Sequence, residues 1–456
     1  LMGLMSYTLS LLSVPISLIF NRTKTKPKDI AVQVLRNNID RSKKNDLFWM
    51  NDNTLIDHTL LISNNKYKCF LSACDMSNIN ISKRDVNRFS WLLNYHFLRG
   101  YLSTFGSFLK ISRLLLSNGC LNIFSLGLVN FLIYKSIFNL YQTKVFISNH
   151  SYFNAAPLFA ADLLGVVYVR GTWSNQGAPH QHIATSADVF FSWGRVVTDT
   201  YTRSSESNTS YVYTGFIDGK NMVFKSRKNN IDNKVRVGFF DNLTSNDLIN
   251  SSKDLREILL LFIKLMEQHK HMVIIYKPKS GNMLEIYKAK MENLLKKYII
   301  DSQFMILMGE RSYSNPASKI SNEFDLVVGY PISTAATESM IMGVPCIHYN
   351  PFKIYQHYWE KWQLSSPIVY SISELEKEIE LFLNTGNTSI VDWTDLKKSV
   401  NYFDDNMATE RMQFYIGSLC VCDKGSVVEK VKCSDLKYME KYGVNTVFIS
   451  KKVEAV

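Results

Sequence analysis

The segment best suited to chemistry is residues 324–350, FDLVVGYPISTAATESMIMGVPCIHYN. Its spacing predicts a buried strand, a helix that begins at the N-cap Ser333, and a second strand after Gly343. The first turn of a helix presents unpaired N–H groups and the positive end of the helix dipole, which together bind a pyrophosphate. Ser333 and Thr334 would add hydroxyl donors, and Glu338 would accept hydrogen bonds from ribose hydroxyls. The alternative is a capped helix without a ligand.

Basic residues lie at or after the ends of two other predicted strands of the same half of the chain. Lys277 and Lys279 lie in YKPKSG (276–281), and Arg311 follows QFMILMGE (303–310). The carboxyl ends of parallel strands share one edge of a sheet, so these cations would face the same crevice as the predicted pyrophosphate. They suit a nucleoside diphosphate. For each lysine, a solvated position at a strand end is the alternative.

Three histidines are candidates for a general base. His180 and His182 lie in a loop between two strand-like runs, and His150 follows another strand in SNHSY (148–152). An imidazole titrates near physiological pH and can take a proton from an acceptor hydroxyl with little tuning. His180 and His182 are two residues apart, so only one of them is expected to face a cleft. A structural role remains the alternative for each.

The sequence gives little support for a metal site. Cys420, Cys422 and Cys433 could contribute ligands, but no nearby histidine completes a set. No DxD motif stands at a strand end, and Asp404 and Asp405 lie outside such a context. The seven cysteines are odd in number and irregularly spaced, which predicts reduced thiols in a cytosolic compartment. Neither a metal nor a cofactor is expected.

The charge of the chain favours anionic partners. The 456 residues carry a formal net charge of +12, which suits a phosphorylated small molecule or an anionic membrane. No helix-turn-helix, RNA-recognition or zinc-finger pattern is present, so nucleic acid is not expected as a partner. Residues 1–20 are uncharged, but Ser, Thr, Tyr and Pro dilute their apolar character. They predict a partly buried helix or an interfacial anchor rather than a membrane span.

Apolar patterning predicts an α/β fold with two halves. Strand-like runs in the first half lie at 31–35, 59–63, 144–148, 166–170, 189–193 and 211–215. In the second half, strands at 235–240, 271–278, 303–308, 325–330, 345–349 and 367–371 alternate with helices at 254–269, 283–298, 334–342 and 373–383. Such alternation implies βαβ units and a parallel, Rossmann-like sheet.

Three regions follow from this pattern. Residues 1–225 are predicted to form a Rossmann-like domain with helical, membrane-associated elements. Residues 226–420 are predicted to form a second Rossmann-like domain, and residues 421–456 a C-terminal tail. The polar, unpatterned stretch 219–233 is interpreted as the linker.

Segment 324–350 resembles the donor-binding segment of GT-B glycosyltransferases, especially bacterial enzymes of surface-polysaccharide synthesis and the CDP-glycerol glycerophosphotransferases of teichoic acid synthesis. The resemblance extends over 143–219, through KVFISNHSYFNAAPLFAADLLGVVYVRG, GAPHQHIATSADVFFSWGRVVTDTY and YTGFIDG. Residues 1–140 show no such resemblance. The family implies two Rossmann-like domains facing a central cleft, with residues 1–225 as the acceptor domain and residues 226–420 as the nucleotide-sugar-binding domain. Some relatives carry a His-Pro pair after the second strand of the C-terminal domain, where it contacts a CMP-sugar. This chain has Lys277 and Pro278 at that position, which weighs against a CMP-sugar as the donor.

The resemblance implies a metal-independent glycosyltransferase whose nucleotide-sugar is a substrate. The expected acceptor is a glycan or a lipid-linked glycan in surface-polysaccharide biosynthesis of the cell envelope. The expected location is the cytoplasm, with peripheral association at the cytoplasmic face of the membrane. A CDP-glycerol glycerophosphotransferase and a non-catalytic scaffold of a polysaccharide assembly complex remain alternatives, and a sugar-nucleotide epimerase is a weaker one.

Overall fold

The computed structural model describes residues 30–34, 59–63, 69–71, 131–132, 134–135, 137–139, 141–148, 155–172, 187–196, 198, 210–216, 233–241, 252–278, 281–307, 317–351, 366–389, 393–422 and 425–449. They form two sheets with helices packed on them. None of the helices in these ranges combines the length and the hydropathy that a membrane-spanning segment needs. Residues 1–20 lie outside the described part of the chain.

The first sheet contains β1 (Ile30–Val34), β2 (Thr59–Ser63), β3 (Cys69–Leu71), β4 (Val145–Ser148), β5 (Val167–Gly171), β6 (Val189–Ser192) and β7 (Ser210–Tyr213). These strands lie in the order β3-β2-β1-β4-β5-β6-β7, and all neighbours are parallel except β2 and β3. Helix α1 (Ala155–Leu164) connects β4 to β5. The apolar runs of β4 to β7 are buried throughout, as parallel strands covered on both faces must be.

The second sheet contains β8 (Val235–Asp241), β9 (Met272–Lys277), β10 (Phe304–Ile306), β11 (Leu326–Tyr330), β12 (Cys346–Tyr349) and β13 (Ile368–Val369). Its helices are α2 (Ser252–Gln268), α3 (Gly281–Ile300), α4 (Ala317–Ile320), α5 (Thr334–Ile341) and α6 (Ile372–Thr385). The strands are all parallel, in the order β10-β9-β8-β11-β12-β13. The predicted α/β class with two Rossmann-like sheets is confirmed.

The two faces of the second sheet have different neighbours. One face, which includes Val237 and Ile274, packs against α2, α3 and α6 in a core of its own. The other face, which includes Val273 and Val327, belongs to a core that also contains Val169 and other residues of the first sheet. A continuous apolar core therefore joins the two sheets on the side of the second sheet that carries α5.

The end of the chain returns to the first sheet. Helices α7 (Trp393–Val400), α8 (Ala408–Val421) and α9 (Val427–Tyr442) lead to β14 (Val447–Ile449), which pairs antiparallel with β7. The residues predicted as a C-terminal tail therefore include a helix and an edge strand of the first sheet. The buried positions of α9 are Val431, Ser434, Asp435 and Tyr438, and this mixture gives no apolar pattern. The predicted boundary near 225 lies outside the described residues, and the division into domains stays a prediction.

Candidate functional site

The candidate site lies where the strand order of the second sheet reverses. Strands β8 and β11 are neighbours although they are first and fourth in the chain order of that sheet. Helix α2, which follows β8, packs on one face, and α5, which follows β11, packs on the other. The connections leave the sheet in opposite directions, and open α/β sheets bind ligands at such a point, outside the carboxyl ends of strands like β8 and β11. The sequence-predicted pyrophosphate segment therefore lies at the topological switch point.

The N-terminus of α5 has no side-chain cap. Ser333 has the extended backbone of an N-cap, with φ −99° and ψ 130°, but its hydroxyl accepts no hydrogen bond from the helix. Thr337 donates its N–H to the Ser333 carbonyl at 3.0 Å, which starts the helical ladder. The N–H groups of Ala335 and Ala336 meet no acceptor among the described residues. The first turn can therefore donate hydrogen bonds to an external anion, which the helix dipole also favours.

The other end of α5 confirms its predicted termination. Gly343 has φ 89°, a left-handed conformation that a residue without Cβ adopts at no steric cost. Its N–H donates to the Met340 carbonyl at 2.9 Å, and the Val344 N–H donates to Ser339 at 3.0 Å. These bonds satisfy carbonyls of the last turn.

A buried histidine holds the turn between β11 and α5. The Ser333 N–H donates to Nδ1 of His348, 3.3 Å away, and both residues are buried. Burial lowers the pKa of His348 to about 3, so the imidazole is neutral. Its Nε2 lies 3.4 Å from Sγ of Cys346, another buried side chain whose pKa is raised by burial. Both side chains are fully buried, so this uncharged pair supports the turn from the interior of the sheet.

The structure brings together charges from three elements at the same edge. Lys277 ends β9 and is half-buried, and this desolvation lowers its pKa. The carboxylates of Glu338 on α5 and Asp241 at the end of β8 attract its ammonium group and oppose that shift. Asp241 is itself buried and accepts a hydrogen bond from the Tyr276 hydroxyl. Lys277 and Glu338 were predicted as site residues. Asp241 was not predicted as a site residue, although the sequence shows a carboxylate directly after the apolar run VRVGFF, where a strand is expected to end.

Asn350 is a second residue that sequence reasoning missed. It follows β12, has no exposed surface, and its backbone N–H donates to Val369 at 2.8 Å. Its side-chain Oδ1 and Nδ2 have no hydrogen-bond partner among the described residues. The pairing of Gly329 with His348 places Asn350 opposite Pro331, beside the turn that starts α5. Alternation along the strand puts it on the same face as His348. A buried amide without partners is costly, so this position suits a bound polar group.

Several predicted residues lie outside the described part of the chain: His150, His180, His182, Lys279 and Arg311. Their roles stay predictions. Of the residues that the structure does describe, Thr334 is half-buried on the first turn of α5, whereas Ser333 is 2% exposed. No group of three or more His, Cys, Asp or Glu side chains placed to hold a metal ion occurs within the described ranges.

No protein-family model and no curated protein matches the sequence. The chain is similar to solved structures at low identity. Anabaena HepE in complex with UDP is 12% identical with a TM-score of 0.42, over 63% of this chain and 82% of HepE. Methanocaldococcus jannaschii UDP-GlcNAc 2-epimerase is 14% identical with a TM-score of 0.41, over 63% and 80%. A glycosyltransferase from Rickettsia africae is 9% identical with a TM-score of 0.41, over 65% and 81%. Similarities of this size identify no substrate.

Proposed function

We propose that this chain is a GT-B-type glycosyltransferase that binds the diphosphate of a nucleotide-sugar at the N-terminus of α5. The observation that carries the proposal is the first turn of α5 at the switch point, which has no side-chain cap and whose Ala335 and Ala336 N–H groups meet no acceptor in the part of the chain that the structure describes. An α/β sheet binds ligands at this edge. A diphosphate supplies the acceptors that these donors lack.

The charges at the site fit the departure of a nucleoside diphosphate. When the bond to the sugar breaks, negative charge develops on the terminal phosphate of the leaving group. Prearranged N–H donors and the Lys277 ammonium would stabilise that charge where it forms. Burial disfavours the charged form of Lys277, and a bound anion nearby would favour that charged form. This arrangement supplies electrostatic stabilisation without a metal ion.

The polar side chains around the first turn would orient the donor. Glu338 lies one turn into α5, where its carboxylate can accept hydrogen bonds from the ribose hydroxyls. Asn350 offers one donor and one acceptor, both unsatisfied within the described structure. It would bond to a phosphate oxygen or a hydroxyl of the donor. We infer the same site for CDP-glycerol if the chain is a glycerophosphotransferase, since the diphosphate is shared.

The acceptor side of the proposal rests on the sequence. A histidine among His150, His180 and His182 would take the proton from the attacking hydroxyl. The acceptor would be a glycan or a lipid-linked glycan of surface-polysaccharide biosynthesis, reached at the cytoplasmic face of the membrane. The net charge of +12 favours association with an anionic bilayer.

Thermal denaturation of the full chain with UDP, GDP, CMP, CDP and dTDP tests the proposal. A ligand that binds only the native state raises the melting temperature. At least one nucleoside diphosphate is expected to do so. Lys277→Gln should weaken that binding about tenfold, because it removes a partly desolvated charge, whereas Lys296→Gln on the exposed side of α3 should not. The proposal is wrong if no nucleotide stabilises the chain, or if both variants bind equally well.

A further inference from the structure

Two cysteine thiols meet between the last two long helices. Cys422 directly follows α8, and Cys433 lies in the middle of α9, eleven residues later in the chain. Their Sγ atoms are 3.1 Å apart. Both side chains are partly exposed to solvent. Bonded sulfurs are about 2.05 Å apart, so closing this pair requires a movement of about 1 Å.

A lysine lies beside the two sulfurs. Lys437 lies one turn after Cys433 on α9, and its Nζ is 3.8 Å from Sγ of Cys422. A neighbouring ammonium group favours the thiolate, which is the nucleophile in thiol–disulfide exchange. The hydrogen bond with Cys422 and desolvation raise the pKa of Cys433, and the charge of Lys437 opposes this shift. Because Cys433 therefore holds its proton more firmly, and Sγ of Cys422 lies in contact with the Lys437 ammonium group, we assign the first attack to Cys422.

We propose that Cys422 and Cys433 are a redox modification site, which low-molecular-weight disulfides of the glutathione type convert into an intramolecular disulfide. The Cys422 thiolate attacks one sulfur of the reagent and expels one thiolate, which takes up a proton. The Cys433 thiol then loses its proton to solvent, and its sulfur attacks the Cys422 sulfur and expels the second thiolate. Two cysteines are oxidised, and one disulfide is reduced to two thiols.

The position of the pair gives the bond a structural consequence. The Tyr438 hydroxyl of α9 donates to the Tyr213 carbonyl of β7 at 2.7 Å, and the Ser210 hydroxyl donates to Asp435 at 2.9 Å. These contacts attach α9 and the following β14 to the first sheet. A covalent bond from Cys433 to Cys422 ties α9 to α8 as well, so opening of this end of the chain is suppressed in the oxidised form.

Peptide mapping of the full chain after exposure to glutathione disulfide tests the assignment. The expected product has lost two hydrogen atoms, and its peptides containing Cys422 and Cys433 are linked until a reducing thiol is added. Amide hydrogen exchange over 427–442 should slow about tenfold in the oxidised protein. The assignment is overturned if Cys422 and Cys433 remain separate thiols, stay as glutathione adducts, or pair with other cysteines.

Three variants test the order of the steps. Cys433→Ser should accumulate a stable glutathione adduct at Cys422, because the second thiol is missing. Lys437→Gln should slow formation of the disulfide about threefold, since thiolate is less favoured without the ammonium group. Lys432→Gln removes the same charge from a different face of α9 and should leave the rate unchanged. Equal rates for the two lysine variants would contradict the proposed activation.

Discussion

Nδ1 of His348 accepts a hydrogen bond from the backbone N–H of Ser333, and this bond fixes the turn from which α5 begins. The histidine comes from the neighbouring strand β12, fifteen positions later in the chain. Because the imidazole is buried and neutral, it supports the turn without placing a charge beneath the N–H groups that would face an anion. The first turn of α5 is therefore positioned by the sheet as well as by its own sequence.

Two replacements of His348 should distinguish the contribution of its hydrogen bond to stability from the contribution of its packing. In His348→Leu the Ser333 N–H loses its buried acceptor, and the free energy of unfolding should fall by about 1–3 kcal/mol. His348→Asn keeps a side-chain acceptor and should restore part of the loss. Urea unfolding of the two variants measures the difference. Equal stabilities would show that the hydrogen bond does not hold the turn.

Gly329 determines how closely α5 approaches β11. A Cβ atom there would lie 2.7 Å from Cβ of Ala336 and 2.8 Å from Nδ1 of His348. Gly329→Ala should therefore shift α5, cost about 1–3 kcal/mol of stability and weaken nucleotide binding. Gly417→Ala on α8 is the matched control, because nothing lies within 4 Å of its added Cβ, and it should stabilise the helix by about 0.5–1 kcal/mol. Unfolding and titration with a nucleoside diphosphate distinguish them, and equal behaviour would refute close packing at Gly329.

Substitution of Asn350 should have opposite effects on the stability of the protein and on its affinity for the nucleotide-sugar. Its side-chain oxygen and nitrogen have no partner within the described structure, so Asn350→Leu removes an unsatisfied buried amide at similar size. The unliganded variant should be as stable as the wild type or more stable. Its affinity for the nucleotide-sugar should fall about tenfold, because a bound polar group then loses its partner. A variant that loses stability while keeping its affinity would assign the amide a structural role.

The buried carboxyl group of Asp435 should make the free energy of unfolding depend on pH. Burial raises its pKa to about 6, although hydrogen bonds from Tyr415 and Ser210 oppose the shift. The native state then holds more protons than the unfolded state between pH of about 4 and 6, so this residue's contribution to stability falls as pH rises through that range. A shift of about two units corresponds to about 3 kcal/mol.

Comparison of the wild type with Asp435→Asn measures this term. The asparagine oxygen can still accept from the Tyr415 hydroxyl, but the side chain does not ionise. The stability of the variant relative to the wild type should therefore increase from pH 4 to pH 7 in denaturant titrations. An unchanged difference between the proteins at the two pH values would contradict the raised pKa.

Local sequence patterns were sufficient for the second sheet and for α5. Its central strands β8, β9, β11 and β12 are largely buried and contain long apolar runs. The segment from Ser333 to Gly343 carries signals for both helix ends. The hydrogen bond between His348 and Ser333 could not be predicted from the sequence, because it depends on the register in which β12 pairs with β11. Helix α9 was missed because its buried face includes Ser434 and Asp435, which bond to other elements instead of packing as apolar side chains.

The first turn of α5 is proposed to bind the diphosphate of the donor. A crystal structure of the full chain with bound UDP, or with whichever nucleoside diphosphate stabilises it most, tests this directly. We expect phosphate oxygens within hydrogen-bond distance of the N–H groups of Ala335 and Ala336, with the Lys277 ammonium beside them. A nucleotide bound elsewhere, with this turn unoccupied or filled by protein side chains, would contradict it.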